Sequence, residues 1–184
     1  DYISTPDSDD FTIGTGDMSF SCWARFNNFT NAQGHLFISQ WNPGGDKGFR
    51  CMYSGGALLM DVHIGSEIQV VNQSWSASVD TWYHIRFNRT AGQFNVFVDG
   101  VKQGTGSTNT GNVTNSSGNI RIGSDGHSFT FTDMDGFLDD IEFTASNQNG
   151  TSNFDKPTEY STTTSSTKLL IQSNSSSNNS STFV

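Results

Sequence analysis

Residues 18–26 read Met-Ser-Phe-Ser-Cys-Trp-Ala-Arg-Phe, and their period of two constrains the fold more than any other feature. Met18, Phe20, Cys22, Ala24 and Phe26 fall on one side of an extended chain, with Ser19, Ser21, Trp23 and Arg25 on the other, because successive strand side chains point to opposite faces. Runs with strand character recur at 34–41, 48–53, 57–64, 67–71, 82–88, 94–98, 119–123, 136–144 and 168–172. Turn chemistry separates them, with Gly55-Gly56 and Asp99-Gly100 at hairpin spacing. No segment sustains a helical stripe. About ten short strands joined by glycine-rich turns predict a two-layer antiparallel β-sandwich, an all-β jelly roll.

The 184 residues suffice for one well-cored domain. Fifteen Phe give that core its bulk, too much apolar surface for a disordered chain. A formal net charge of -9 repels phosphate backbones and excludes nucleic acid, while an Asp-rich surface suits calcium and neutral sugars. No run of about 18 apolar residues predicts membrane insertion. Residues 1–8 carry neither the basic flank nor the apolar stretch of a signal peptide. Cys22 and Cys51 are too few for a disulfide scaffold or a structural zinc site. Free thiols are expected in preference to a bond between neighbouring strands.

Residues 104–118 are Gly, Ser, Thr and Asn with one Val and read as a long surface loop. Residues 1–160 are expected to form the sandwich and 161–167 a Ser/Thr linker. Residues 168–184 then carry the apolar Leu169-Leu170-Ile171, which either completes this sandwich from its far end or opens a second copy.

An ordered set of motifs carries a family pattern. Asp1-Tyr2-Ile3-Ser4, Pro6-Asp7, Phe11 and Gly14-Thr15-Gly16-Asp17 lead into Phe20-Ser21-Cys22-Trp23-Ala24-Arg25. Thr81-Trp82-Tyr83-His84-Ile85-Arg86, Phe97-Val98-Asp99-Gly100, Ile122-Gly123 and Gly136-Phe137-Leu138-Asp139-Asp140-Ile141 follow. Over roughly residues 1–145 the chain resembles the laminin-G-like, concanavalin A-like lectin/glucanase superfamily, in the version repeated in bacteriophage and bacterial surface proteins. In that family a motif like Thr167-Lys168-Leu169-Leu170-Ile171 stands ahead of a domain as its first strand. Its place here implies an excerpt of a tandemly repeated protein, or a protomer of a homo-oligomer or polymer. Leu169, Leu170 and Ile171 would then close an open sheet edge in cis or in a neighbouring subunit, and head-to-tail donation can propagate into fibres.

Asp139 shares the phase of Phe137, Ile141 and Phe143 and is expected on the core side, with Asp140 opposite beside Leu138 and Glu142. A core-side carboxylate needs a partner. The resemblance implies a calcium ion near the rim, held by Asp139 with Asp133 and Asp135; the alternative is a carboxylate accepting loop N–H groups. Asp133 opens no EF-hand, since Thr144 stands where a bidentate Glu is needed. Asp140 and Glu142 stand about 7 Å apart along a strand, within the range of a glycosidase pair. Glycosidases of this superfamily usually carry Glu-x-Asp-x-x-Glu, which is absent here, so a solvated acidic face and no enzyme are expected. The four histidines lack metal or triad spacing.

Trp75, Trp23 and Tyr53 are the candidate sugar-stacking residues, with Asp140 as a hydrogen-bonding neighbour; Trp82 and His84 are expected to be structural. Sequons at Asn28, Asn72, Asn88, Asn112, Asn115 and Asn149 follow from the Asn, Ser and Thr richness. The expected function is adhesion or assembly by a non-enzymatic extracellular or virion-surface module that binds a glycan. A polysaccharide hydrolase or lyase and a purely structural fibre or capsid-decoration subunit are the alternatives.

Overall fold

A strand with one apolar side can be buried only against another layer, and the chain answers this by stacking two antiparallel sheets. The computed structural model describes residues 2–30, 34–42, 45–125, 133–173 and 182–183. Its strands are β1 (Ile3–Thr5), β2 (Met18–Phe26), β3 (His35–Trp41), β4 (Lys47–Ser54), β5 (Ala57–His63), β6 (Glu67–Ser74) and β7 (Trp82–Thr90). They continue as β8 (Gln93–Val98), β9 (Val101–Thr108), β10 (Ile120–Ile122), β11 (Gly136–Thr144), β12 (Thr167–Gln172) and β13 (Thr182–Phe183). One sheet has the order β1-β10-β3-β4-β5-β6 and the other β13-β12-β11-β2-β7-β8-β9. The all-β sandwich is as expected from the alternation.

Between the sheets the rings interlock. Phe11, Phe143 and Phe49 form one chain of contacts, at centroid separations of 5.7 and 5.6 Å. Phe26, Phe37 and Phe87 form another, with both separations 6.3 Å. Each such ring contributes about 1.5–3 kcal/mol by leaving water. Cys22 and Cys51 lie in the same core as free thiols, as expected. Burial pushes both well above the ordinary thiol range, so they behave as small apolar groups. Gly55 and Gly56 both have positive φ at the β4–β5 turn, which a two-residue hairpin of this twist requires.

Two expectations are corrected, and one open alternative is decided. The expected loop at 104–118 begins as strand, because β9 runs to Thr108 and pairs with β8. The apolar run 168–172 is β12, paired antiparallel with β11 through Ile141–Ile171, Glu142–Leu170 and Phe143–Leu169. Within the described chain it therefore extends its own sheet. The second correction concerns Asp139 and Asp140. The β11–β2 register slips between Asp139 and Glu142, and Asp140 takes a φ of 45°. A bulge adds one residue and reverses which side the following residues face. Asp139 thus shares the outer face with the exposed Phe137 and not the core with Ile141 and Phe143, while Asp140 is buried at 2% exposure.

Between β11 and β12 the chain makes an out-and-back strap over the outer face of the larger sheet. Going out, Gln148 N donates to Ser19 Oγ, Asn88 Nδ2 to the Gln148 and Gly150 carbonyls, and Phe154 N to the Gly100 carbonyl. Gly100 sits at φ 80°, and a Cβ there would lie 1.9 Å from the Phe154 carbonyl oxygen, so only glycine lets the strap lie this close. Coming back, Lys156 pairs with Asp99 at 3.0 Å, and Ser161 N donates to both Asp140 carboxylate oxygens.

Candidate functional site

The outward residues of β11, β2 and β7 line up in rows, because adjacent antiparallel strands set cross-strand partners side by side. Phe137, Arg25 and Trp82 form one row, and Asp139, Trp23 and His84 the next. Glu142, Ser21 and Arg86 form a third, and Thr144, Ser19 and Asn88 a fourth. The strap buries most of the second, third and fourth rows. It leaves the first open, with Trp82 40% and Phe137 52% exposed.

Where the strap returns, it walls a cleft of about 400 Å³ lined by Trp23, Trp82, Asp139, Thr158, Glu159 and Tyr160. Trp23 and Trp82 give it an aromatic floor. Lys156 Nζ stands 4.8 Å from the Trp23 ring centroid, a cation–π contact that holds the strap to the floor. Beside the cleft, the Arg25 guanidinium lies 5.3 Å over the Phe137 ring and pairs with Asp80. Tyr160 OH donates to Asp139 Oδ2 at 3.3 Å, and the neighbouring Asp139 charge raises the phenol above its usual range. Apolar aromatic faces with a few fixed carboxylate and hydroxyl groups at the rim suit a ligand that is apolar on its faces and polar at its edge.

The structure brings together two of the residues predicted from sequence, Trp23 and Asp139. It moves the others elsewhere. Trp75 meets Tyr53 and Tyr83 edge-on, at 5.6 and 4.9 Å, and packs against the core. Tyr53 is buried beside it, so neither offers a ring face as a platform. Asp140 lies beneath the strap, accepting from Ser161 N, Ser161 Oγ and Gln172 Nε2. Glu142 is also buried, so the expected solvated acidic face is a covered one. Asn88 is fully buried under the strap, which removes its sequon from the surface.

The three aspartates proposed for calcium are not brought together as a metal-ligand group among the described residues. Asp139 already accepts from Asp140 N at 2.7 Å, Ser173 N at 2.9 Å, Ser173 Oγ at 2.7 Å and Tyr160 OH. Asp135 accepts from the Asn27 and Asn28 side-chain amides. Among the described residues no group of three or more His, Cys, Asp or Glu is placed to hold a metal ion. The loop-acceptor alternative describes Asp139 better.

Sequence reasoning missed Trp82, Thr158, Glu159 and Tyr160 as cleft residues. Trp82 was legible, since it runs out of phase with Tyr83, Ile85 and Phe87. The other three precede a Ser/Thr run and carry no local sign of the wall they form.

The larger sheet thus presents an aromatic cleft on the outer face of a jelly-roll sandwich. Residues 1–146 match the Laminin_G_3 family, described as the concanavalin A-like lectin/glucanases superfamily; the chain belongs to that family. No curated protein sequence matches it. Among solved structures, domain 4 of the extracellular arabinanase AbnA from Geobacillus stearothermophilus, in complex with arabinotriose, superposes with TM-score 0.58 at 17% identity, covering 77% of this chain and 65% of that one. A putative carbohydrate binding protein from Bacteroides ovatus gives TM-score 0.62 at 14% identity, over 93% of this chain and 48% of that one. The binding domain of botulinum neurotoxin serotype D/C gives 0.60 at 14% identity, over 80% and 38%. At these identities the likeness is one of fold. The chain spans less than two thirds of each of these structures.

Proposed function

We propose that this domain is a non-enzymatic, extracellular glycan-binding module that stacks a neutral sugar in the Trp23–Trp82 cleft. The observation that carries this reading is the pairing of an aromatic floor with the Asp139, Thr158 and Glu159 rim. Pyranose and furanose rings present apolar C–H faces to tryptophan and edge hydroxyls to carboxylates. Two structural neighbours, one named as a carbohydrate binding protein and one described with arabinotriose, support the same ligand class. The arabinanase's description as extracellular supports the location. Display on a cell or virion surface, in a repeated or polymeric assembly, is the setting in which adhesion would use such a cleft.

A hydrolase reading finds less support. Glycosidases need two carboxylates flanking one sugar bond, whereas both Asp140 oxygens hold Ser161 and Gln172 under the strap.

Calorimetric titration with an oligosaccharide panel that includes arabinotriose tests the reading. At least one neutral sugar is expected to bind with a Kd of about 10 µM to 1 mM, and Trp82→Ala to weaken it about tenfold. Binding that survives unchanged in Trp82→Ala and Trp23→Ala, or silence across the panel, would overturn it.

A further inference from the structure

The third row of the outer face holds a feature that the aromatic cleft leaves unused. Arg86 on β7 and Glu142 on β11 flank Ser21 of β2, which places their Cα atoms about 10 Å apart, two strand spacings. They attract one another without forming an ion pair among the described residues. The strap arches over them, and the space left is a pocket of about 520 Å³ also lined by Gln148, Ser161, Thr162 and Ser166.

Both charged groups are covered and under-used. Arg86 is 6% exposed, its guanidinium stacked 4.5 Å from the Phe154 ring centroid and donating from one Nη to Asn149. Its Nε is buried without a hydrogen-bond partner among the described residues. Glu142 is 4% exposed and accepts, among the described residues, two long hydrogen bonds, from Gln148 Nε2 at 3.2 Å and Thr167 Oγ1 at 3.4 Å. A carboxylate has room for about four donors, and a buried unpaired N–H costs about 1–3 kcal/mol. Burial lowers the Arg86 guanidinium to about 10 and raises the Glu142 carboxyl, as expected of charges short of partners.

We propose that this pocket is a second ligand subsite, for a neutral polyhydroxylated ligand such as one sugar ring, whose hydroxyls accept from the Arg86 guanidinium and donate to Glu142. The chemistry of the two walls selects the class. A hydroxyl both donates and accepts, so neighbouring hydroxyls on one ring satisfy cation and anion together. A lone ligand carboxylate is repelled by Glu142 and a lone ammonium by Arg86; a zwitterion could pair with both walls and is the competing class, for which glycine is the probe. The hydroxyl and amide lining of the strap extends the same neutral, hydrogen-bonding surface. The choice of a sugar rests on the glycan-binding reading of the outer face; the pocket itself is separate from the cleft and shares none of its lining residues.

Two-dimensional ¹H–¹⁵N NMR of the whole chain, following the Arg86 Nε–Hε resonance, tests this with glucose and arabinose as neutral probes and with glycine and acetate as charged ones. The neutral sugars are expected to shift that resonance saturably. Glu142→Gln should weaken the response about tenfold while Trp82→Ala leaves it intact. If Glu142→Gln fails to fold, Thr162→Val on the strap should weaken it about threefold instead. A shift with glycine or acetate alone, no shift up to about 100 mM sugar, or undiminished sugar affinity in whichever of Glu142→Gln and Thr162→Val folds would overturn the proposal. An Arg86 response that persists when Trp82→Ala abolishes no other sugar binding would instead sink the aromatic-cleft reading and leave this one standing.

Discussion

His84 lies in the second row of the outer face, between Trp23 and the strap's Phe154, whose rings approach it edge-on at 5.7 and 5.9 Å. Burial and the nearby Arg86 charge push its imidazole down to about 3. An unfolded histidine titrates near 6.5, so between those values the unfolded chain binds the proton that the folded chain refuses. Stability from this group is complete above about pH 6.5 and drains away as the pH falls toward about 3. His35, lowered by burial, acts in the same sense. Glu142, raised by burial, opposes them: its contribution is present below the unfolded value and lost as the pH rises. Urea denaturation at pH 7 and pH 5 should show the wild type losing about 2 kcal/mol more than His84→Gln. Equal losses in the two proteins would refute the assignment. At this scale the sequence was legible where phase stayed regular, as at Trp23 and Trp82. It misled at Asp139, because one extra residue at Asp140 turns the strand over and leaves no mark in composition. Trp75 misled for a different reason. Its serine neighbours suggest exposure, while the two tyrosines that enclose it come from β4 and from the start of β7.

Among the elements, β12 carries the most testable energy. Leu170 and Ile171 are buried, and the strand covers one long edge of β11. Burial of the two side chains is worth about 4 kcal/mol, or a melting shift of about 10 °C for a domain of this size. A chain cut after Tyr160 should therefore melt lower by about that amount and self-associate through the uncovered β11 edge, as seen by light scattering. Added peptide spanning residues 167–172 should reverse both effects. A truncated monomer with unchanged melting would show that the strand is dispensable. That a strand stood at 168–172 was plain from Leu-Leu-Ile. Its partner was not, since pairing is a long-range choice that the strand's own residues do not encode. The same holds for the strap. Residues 161–166 look like an inert linker, yet several of them roof the Arg86–Glu142 pocket.

For the molecule as a whole, cohesion comes from two stacked sheets and a polar layer sealed beneath the strap, without a metal-ligand group among the described residues. A ligand that binds only the folded state must raise its melting temperature. Adding EDTA is accordingly expected to leave the melting curve within about 1 °C of its calcium-containing counterpart. A fall of about 5 °C or more would restore a calcium site. The two-sheet architecture was legible throughout, because alternation and turn residues repeat along the chain and each instance votes for the same fold.

The strap also sets a timetable. A ribosome releases residues 136–144 before 167–172, with the whole out-and-back excursion still to be made between them. During that interval the nascent sandwich offers a bare ribbon of backbone to whatever emerges alongside it, including a sister chain on the same messenger.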